Sequence, residues 1–599
     1  MPRSPSIRDR RRGFWTGSPK LPGLPGFAGK LIPMAEVREL YERVRSAPQG
    51  FKLETLLEEM QVDLQLQPAD LERIPVKGPL VAVANHPFGV LDGAALGVLL
   101  SRVRPDVRVM TNSLLEGLPE LREHCFFVDP FNTKSSVEKN LKALKQAIEW
   151  LQQGGALAVF PAGEVSQWNV GKAQVADPAW NTVAARLMRK TGASALPVYF
   201  CGRNSATFHL LGLIHPRLRT LVLMQEFLQQ RGKKLEVRVG TAIPAELITS
   251  IENDQEATEY LRLRTYLLSY RGKKEISIPT KMRSVLPKKA QETIIPAVPQ
   301  SLLVRDIAAL PPEQLLTESN EFAVYAARAP EMPHLLEELG RLREVTFRAA
   351  GEGTGKSADL DQFDNYYWHL LLWSKEKQEL VGAYRAGNTD EIIRSHGIKG
   401  LYTHTVFRYD ERLFLKIGSA LELGRSFVRT EYQRQYAPLL QLWKGIARFV
   451  AAHPQTPVLF GAVSISNEYS RLSREMIVRY FEARDDGREF ADLIQPRTPF
   501  RTPKLRRWDC RALCDVLHDL DELAEPISDV EEDGKGLPIL IRQYDKLGGK
   551  LVGFNLDRKF SDVVDGLVIV DLRQTDPAVL ERYMGKEGYA GFRRFHKMD

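Results

Sequence analysis

Two short strings constrain this chain of 599 residues more than any other feature: NHPFGVLD at 85–92 and FPAGEVS at 160–166. Each string follows an apolar run, LVAVA or ALAVF, of the kind that forms a buried strand. Reactive side chains where a strand meets a loop are typical of catalytic sites. The two strings therefore predict catalytic loops at the edge of a sheet.

The first string contains a candidate general base. His86 can accept a proton from a hydroxyl, and Asp92 can hold the required imidazole tautomer, as in a catalytic triad that lacks its serine. The acceptor substrate would then supply the hydroxyl. A structural histidine beside an aspartate that caps a helix is the alternative.

The second string predicts a tight turn. Pro161 and Gly163 favour a turn whose backbone N–H groups could face a phosphate or a developing oxyanion, and Glu164 could order the loop. Turns of this composition are also common without any catalytic role.

Taken together and in this order, the strings resemble the glycerol-phosphate acyltransferase superfamily over residues 70–250. The resemblance implies acyl transfer from a thioester to a lipid hydroxyl, with an acceptor site that includes Asn85, Phe160, Pro161, Gly163 and Glu164. Five residues separate His86 from Asp92, where that family usually has four. Ala162 replaces a glutamate, and Asp129 lies near the position of an arginine. These departures remove phosphate-binding groups, so they favour an acceptor without glycerol phosphate.

Composition and strand order predict two mixed α/β domains. The chain is 43% hydrophobic and 26% charged, which is ordinary for globular domains. We expect a basic N-terminal segment at 1–40, a first domain at 41–274, for which the resemblance implies O-acyl transfer, a linker at 275–315 and a second domain at 316–599. Within the last domain, the acidic segment DVEEDGKG at 529–536 is expected to be an exposed loop.

Metal and nucleic-acid functions are not favoured by the sequence. Cys510, Cys514 and His518 share helical spacing but have no fourth ligand nearby, so an ordinary helix face is preferred over a zinc site. No spacing resembles a nucleic-acid-binding module. The net charge of +8 and the basic, aromatic N-terminus fit either an anionic membrane surface or a solvated tail.

The second half carries a different set of strings: RLREVTF, DLDQFDNYYWHLLLW, ELVGAYR and LELGRSFV. They resemble the N-acyltransferase branch of the acetyltransferase-like fold, near acyl-homoserine lactone synthases and ornithine N-acyltransferases. The shared residues are Arg343, Phe347, Asp361, Asp364, Arg385, Glu422 and Arg425.

Five of these residues have a specific expected role in transfer to an amine, and Arg343 and Phe347 are expected to contribute to the substrate site. Glu422 is the candidate base, since an amine attacks a thioester only when neutral. Asp361 and Asp364 would bind cationic parts of the substrate, and Arg385 and Arg425 would pair with its carboxylate or hold the loop. Ordinary salt bridges are the structural alternative.

The donor is expected to be an acyl carrier protein bearing a 4′-phosphopantetheine thioester. The glycine-rich turn that holds coenzyme A in common acetyltransferases is replaced here by RTEYQRQYAP. The basic run RTPFRTPKLRRWDCR, at 497–511, is a candidate docking surface for an acidic carrier, although a solvated linker face fits equally.

The fused arrangement resembles bifunctional ornithine lipid synthases. The resemblance implies that the C-terminal domain joins a 3-hydroxyacyl group to the α-amine of ornithine and that the N-terminal domain esterifies the new hydroxyl. It implies no bound cofactor, and peripheral association with anionic lipid on the cytoplasmic face of the inner membrane. Two alternatives are a lysophosphatidic acid acyltransferase with a noncatalytic second domain and a membrane-lytic protein. Lysine, glycine and glutamine remain open as headgroups, as do the acyl lengths.

Overall fold

A computed structural model describes residues 33–48, 52–129, 134–169, 174–214, 216–272, 291–484, 487–501, 516–558, 560 and 562–598. These residues form two compact units. The first unit holds the described residues up to 272 together with 516–535, and the second holds 291–501 and 536–598. The predicted division differs in one stretch, because 516–535 belongs to the first unit and not to the second.

A seven-stranded sheet organises the first unit, in the order β1-β9-β8-β2-β5-β3-β4. All neighbours pair in parallel except β8 and β9, which are antiparallel. The strands are β1 (Asp63–Gln65), β2 (Leu80–Ala84), β3 (Val107–Asn112), β4 (Cys125–Val128), β5 (Ala156–Val159), β8 (Ser194–Phe200) and β9 (Lys234–Val239). A separate hairpin joins β6 (Gln167–Asn169) to β7 (Gln174–Ala176).

Every residue of β2 and β5 is buried, as expected for parallel strands at the centre of a layered α/β fold. The two predicted catalytic strings follow these two neighbouring strands. The helices of this unit are α1 (Met34–Arg45), α2 (Leu53–Glu59), α3 (Pro68–Glu72), α4 (Val90–Ser101), α5 (Lys134–Gln152), α6 (Val183–Thr191), α7 (Ala206–Ile214), α8 (Pro216–Leu228), α9 (Ala245–Ser250), α10 (Asp254–Leu267) and, in chain order, α18 (Leu520–Val530).

Helix α18 is tied into the first unit by buried charges. Asp529 is fully buried and accepts hydrogen bonds from Arg73 Nη1 at 2.9 Å, Arg264 Nη2 at 3.0 Å and the Thr241 amide at 2.7 Å. Arg271 Nε donates to the Asp529 carbonyl at 2.7 Å. The expectation of an exposed loop beginning at Asp529 is therefore wrong, because this acidic residue is needed to neutralise buried arginines.

An eight-stranded mixed sheet organises the second unit, in the order β10-β11-β12-β13-β15-β16-β19-β18. Its neighbours are antiparallel except for β15 and β16, which are parallel. The strands are β10 (Leu315–Glu318), β11 (Phe322–Arg328), β12 (Trp368–Ser374), β13 (Glu379–Asn388), β15 (Ala420–Val428), β16 (Val458–Ile465), β18 (Lys550–Asp557) and β19 (Val563–Asp571), with β14 (Phe407–Tyr409) and β17 (Ile494–Pro496) in a separate pair.

Helices pack on this second sheet around an aliphatic and aromatic core. They are α11 (Gln300–Ala309), α12 (Pro333–Ala349), α13 (Thr389–His396), α14 (Arg412–Ile417), α15 (Tyr436–Ala452), α16 (Arg471–Ala483), α17 (Arg488–Ala491), α19 (Ile539–Lys546) and α20 (Pro577–His596). The mixed α/β class predicted for both halves is confirmed. Within the described residues, we find no helix with the length and apolar character needed to cross a bilayer.

Candidate active sites

The first site is built where β2 ends and α4 begins. His86 Nδ1 lies 3.1 Å from Asp92 Oδ2, and the same oxygen accepts hydrogen bonds from the amides of Phe88 at 2.8 Å and Gly89 at 3.0 Å. Burial raises the pKa of the Asp92 carboxyl, whereas these hydrogen bonds oppose that shift. When Asp92 is ionised, Nδ1 carries the proton and Nε2 is left to accept one. Asp92 therefore both caps α4 and orients the histidine.

The imidazole of His86 is held from one face. It stacks on the ring of Phe160, with 4.2 Å between the centroids, and 18% of the His86 side chain is exposed. Phe160 begins the second string, so the structure brings the two predicted strings together at the histidine. A fixed but accessible imidazole is what a general base requires.

Asp177 is a further residue of this site that the sequence analysis missed. Its buried carboxylate accepts hydrogen bonds from the His86 amide at 3.1 Å, the Ser166 hydroxyl at 2.5 Å and the Trp180 indole at 3.0 Å. It thus joins the backbone of the first string to the Ser166 side chain of the second. The sequence signal, an aspartate in DPAW, is too short to be recognised without the fold.

The second string forms the predicted turn, but one of its amides is already used. Gly163 has φ +67° and donates from its N–H to the Phe160 carbonyl at 3.0 Å. The expectation that Gly163 offers its N–H to an oxyanion is therefore not supported. Pro161 is buried, and its carbonyl accepts two bonds from Asn181, at 2.9 and 2.6 Å, while Glu164 is exposed.

Asn85 has a structural role in this geometry. Its side chain donates to the Phe200 carbonyl at 3.0 Å and accepts from the Phe200 amide at 2.7 Å, and only 3% of the residue is exposed. Both ends of the amide are occupied in joining the ends of β2 and β8. The expectation that Asn85 contacts the substrate is therefore not supported. Asn85 instead bridges the two strands and so helps to position His86, the next residue in the chain.

In the second unit, four of the predicted residues form a buried ionic network. Asp364 accepts hydrogen bonds from Arg343 Nη2 at 2.9 Å and Arg385 Nη1 at 3.1 Å, and Arg385 Nη1 also donates to Asp361 at 2.7 Å. Burial disfavours the ionised Asp364 carboxylate, but the two guanidinium groups outweigh this effect and hold its pKa well below the usual range. Asp364 is thus occupied by the protein's own cations, so the expectation that it binds a substrate cation is not supported.

Glu422 is also occupied by the protein. It is 1% exposed, and its carboxylate accepts hydrogen bonds from the Tyr367 hydroxyl, the Tyr402 amide at 3.1 Å and the Thr403 amide at 2.6 Å. Burial raises the pKa of Glu422, which the hydrogen bonds partly offset. The expectation that Glu422 takes a proton from the substrate amine finds no support in this geometry. Glu422 instead fixes the Tyr402–Thr403 backbone.

A cavity of about 180 Å³ lies beside this network. Two predicted residues, Phe347 and Arg425, are among its lining residues, and the others are Glu352, Tyr402, Val406, Gly424, Ser426, Ala462, Val463, Ser464, Leu540, Asp557, Phe560, Val563 and Asp565. The cavity is therefore the candidate substrate site of the second unit.

A bulge in β15 places Arg425 at the cavity. Gly424 pairs with Arg385 and Phe427 with Ala383, so two residues of β15 oppose the single residue between them on β13. Arg425 has φ +48°, a strained conformation for a residue other than glycine. A bulge of this kind re-aims the side chain, which explains why a strand residue serves the cavity.

The guanidinium of Arg425 has unused capacity for binding an anion. It lies over the rings of Phe560 and Tyr402, at 4.6 and 5.1 Å from their centroids, and 10% of the side chain is exposed. Its nearest carboxylate oxygens, on Asp359 and Asp361, are 3.6 and 3.8 Å away. Among the described residues, Arg425 Nε has no hydrogen-bond partner. A substrate carboxylate would supply one.

Two carboxyl groups in the cavity escaped the sequence analysis. Burial raises the pKa of Asp565 to about 7, although a hydrogen bond from the Ser464 hydroxyl at 2.9 Å opposes the shift. Burial and the nearby Glu468 raise the pKa of Glu352 to about 7 as well, while Arg425 opposes the shift. Perturbed groups of this kind concentrate at functional sites.

The remaining sequence predictions about binding regions fall largely outside the described residues. Cys510, Cys514 and most of the candidate carrier-docking run lie there, as does the basic N-terminal segment before residue 33. His518 is described, exposed and 3.3 Å from Glu522. In the described part of the chain, no group of three or more His, Cys, Asp or Glu side chains is arranged to hold a metal ion.

Comparison with known families gives one match in each unit. Residues 62–273 match the family described as acyltransferase, and residues 342–444 match the acetyltransferase (GNAT) domain. The chain is also similar to the crystal structure of the 1-acyl-sn-glycerophosphate (LPA) acyltransferase from Thermotoga maritima, with 19% identity, a TM-score of 0.25, and coverage of 40% of this chain and 81% of that one.

Curated relatives point to two different acyl transfers. The glycine N(alpha)-acyltransferase of Bacteroides thetaiotaomicron is 29% identical over 47% of this chain and 86% of its own length. The glycine N(alpha)-acyltransferase of Phocaeicola vulgatus is 29% identical over 43% and 82%, and the lyso-glycine lipid O-acyltransferase of the same organism is 27% identical over 35% and 74%. With both family models matched, the chain is an acyltransferase that combines an acyltransferase domain and an acetyltransferase-like domain.

Proposed function

We propose that this chain makes a diacylated aminolipid of the ornithine lipid type in two consecutive reactions. The second unit transfers a 3-hydroxyacyl group to the α-amine of the amino acid, and the first unit esterifies the hydroxyl that this group brings. The observation that carries the proposal is the pairing of two different sites in one chain: an accessible His86–Asp92 pair and a charged cavity around Arg425.

The first reaction forms an amide in the cavity of the second unit. The neutral α-amine attacks the thioester carbonyl, a C–N bond forms, the C–S bond breaks, and the thiol leaves as the amine loses a proton. Arg425 would hold the substrate carboxylate through its planar guanidinium. A carboxylate that lines the same cavity would accept the proton of the amine, a role that the buried and hydrogen-bonded Glu422 does not fit.

The second reaction forms an ester at His86. The imidazole removes the proton of the 3-hydroxyl, the oxygen attacks a second thioester, a C–O bond forms, and the released thiol takes up the proton. An N-acyl amino acid carries no phosphate, which agrees with the loss of the phosphate-binding groups from FPAGEVS.

An acyl carrier protein is the proposed donor for both reactions. The segment after β15 has no glycine-rich turn; a short 3₁₀ helix, Thr430–Tyr432, follows the strand instead, and Arg429 pairs with Glu379 at 2.5 Å and Glu431 at 3.0 Å. A basic residue neutralised in this way is less able to bind the pyrophosphate of coenzyme A.

Association with the cytoplasmic face of the inner membrane is part of the proposal, because the product has two acyl chains. Helix α7 exposes 61% of Leu210 and 52% of Leu213, and it packs on β6, where Trp168 is 36% exposed. An exposed patch of large apolar side chains of this kind fits a lipid surface.

Glycine is the second candidate for the headgroup, because the relatives named above act on glycine or lyso-glycine lipid. A reconstituted assay separates the candidates. The purified chain is supplied with two donors, a 3-hydroxyacyl thioester and an acyl thioester of acyl carrier protein, and with either ornithine or glycine. The lipid products are identified by mass spectrometry. We expect N-acyl and then diacyl ornithine; formation of diacyl glycine alone would assign the other headgroup, and no amide with any amino acid would refute the proposal.

A further inference from the structure

The cavity in the second unit carries more negative groups than an α-amino acid core needs. Glu352 follows α12, Asp557 ends β18, and Asp565 lies on β19, and all three line the cavity together with the single guanidinium of Arg425. One carboxylate and one guanidinium would satisfy an α-amine and an α-carboxylate. The surplus carboxylates call for a second cation on the ligand.

Asp565 is the most constrained of these groups. It is 6% exposed, and its carboxyl group accepts a hydrogen bond from the Ser464 hydroxyl at 2.9 Å. Asp557 and Glu352 are close enough to raise its pKa further, and Arg425 acts to lower it. An ammonium group on a ligand would offset this excess of negative charge and donate a hydrogen bond.

The rest of the lining suits an aliphatic chain between two charged ends. Phe347 and Val563 line the cavity with the rings of Tyr402 and Phe560, which also flank the guanidinium of Arg425. Methylene groups can pack on such surfaces while the charged ends reach Arg425 and the carboxylates.

We propose that Asp565 and Glu352 determine headgroup specificity by binding a second, side-chain ammonium of the amino acid whose carboxylate is held by Arg425. The inference rests on the proposed N-acylation and assigns its selectivity to particular residues. The preferred substrate is then a diamino acid, and glycine would leave the two carboxyl groups without a cation to pair with, which lowers its reactivity.

The test compares ornithine with norvaline, which has the same carbon chain without the terminal amine. For the wild-type chain, kcat/KM for N-acylation should be about 100-fold higher with ornithine. Asp565→Asn should lower kcat/KM for ornithine at least about 10-fold and change that for norvaline less than about 3-fold, since the missing charge serves the terminal ammonium alone. Glu352 is less buried, so Glu352→Gln should also lower kcat/KM for ornithine, by a smaller factor than Asp565→Asn.

Asp410→Asn is the matched control, because this aspartate pairs with the exposed Arg412 on the surface of the same unit and should leave both substrates unchanged. Equal loss for ornithine and norvaline in Asp565→Asn, or no loss for either, would overturn the inference while the proposed function stands. If the wild-type chain acylates no amino acid, the proposed function fails, and the inference is then tested by calorimetric titration with ornithine. Ornithine binding that is weakened by Asp565→Asn supports the inference. The absence of ornithine binding overturns it.

Discussion

The two candidate sites differ in how the chain assembles them. His86 and Asp92 lie only six positions apart, just after the end of β2. The string FPAGEVS, which completes this site, follows the neighbouring strand β5. The cavity of the second unit draws on residues from Phe347 to Asp565, brought together by strands that are distant in sequence. The His86–Asp92 site can be recognised in the sequence as a motif, whereas the residues of the cavity come together only when the chain folds. The two sites also predict different responses to mutation.

The largest expected effect separates the two reactions. His86→Ala removes the base and should lower ester formation about 10³-fold while amide formation continues, so that the N-acyl intermediate accumulates. Both rates are measured with purified protein by following each product by mass spectrometry. His124→Ala, at an exposed position in the same unit, is the control and should change neither rate. Equal losses in both reactions would remove the distinction between the sites.

The second prediction concerns the stability of the first unit. Asp529→Ala leaves Arg73 and Arg264 buried without their carboxylate and should destabilise this unit by about 3–5 kcal/mol. Thermal unfolding should show an earlier transition together with loss of ester formation, and amide formation should remain. Asp533→Ala, at an exposed position nearby, provides the comparison and should unfold like the wild type. If Asp529→Ala unfolds at the same temperature as the wild type, the ion pairs of Asp529 contribute little to the stability of the first unit.

The third prediction uses the pH dependence of the second unit. The pKa of Asp565 is raised from 3.8 to about 7, so the folded state retains a proton that the unfolded state releases as the pH rises from 4 to 7. Stability should therefore fall across this window, by on the order of 3 kcal/mol, and stay level above it. Asp565→Asn should make this fall smaller in urea titrations and leave the part that comes from the raised pKa of Glu352. A wild-type profile that rises between pH 4 and 7 would contradict the assignment.

The smallest expected effect tests the turn of the second string. Gly163 has φ +67°, but a Cβ there would have no atom within 4 Å. Gly163→Ala should thus cost about 1 kcal/mol from backbone conformation alone and leave ester formation within about 3-fold of the wild type. A loss above 100-fold would show that this turn contacts the reacting groups directly.

The outcome for particular residues shows what sequence patterns can predict here. Strands β2 and β5, both mixed α/β domains and the contact between His86 and Asp92 follow from local patterns, because apolar runs and short spacings survive into the fold. The stacking of His86 on Phe160 is a finding of the structure alone. Phe347 and Arg425, which the sequence predicts to bind substrate, line the cavity of the second unit. In the two strands and in the His86–Asp92 pair, neighbours in sequence remain neighbours in space.

The predictions that failed depend on burial, which a local pattern does not report. Glu422 and Asp364 have the right chemistry for substrate binding, but backbone amides, a tyrosine and arginines of the protein already occupy them. Asp529 lies in an acidic stretch that looks solvated, although it neutralises buried arginines more than 250 positions away. Glu352 and Asp565 carry no motif, and only the folded cavity gives them a role.

The most direct measurement crosses two variants with two acceptors. His86→Ala and Arg425→Ala are each given the free amino acid and, separately, the N-(3-hydroxyacyl) amino acid, with acyl thioesters in excess. We expect His86→Ala to form the amide from the free amino acid but no ester, and Arg425→Ala to esterify the supplied intermediate at the wild-type rate but form no amide. Loss of both reactions in either folded variant would contradict the assignment of one reaction to each site.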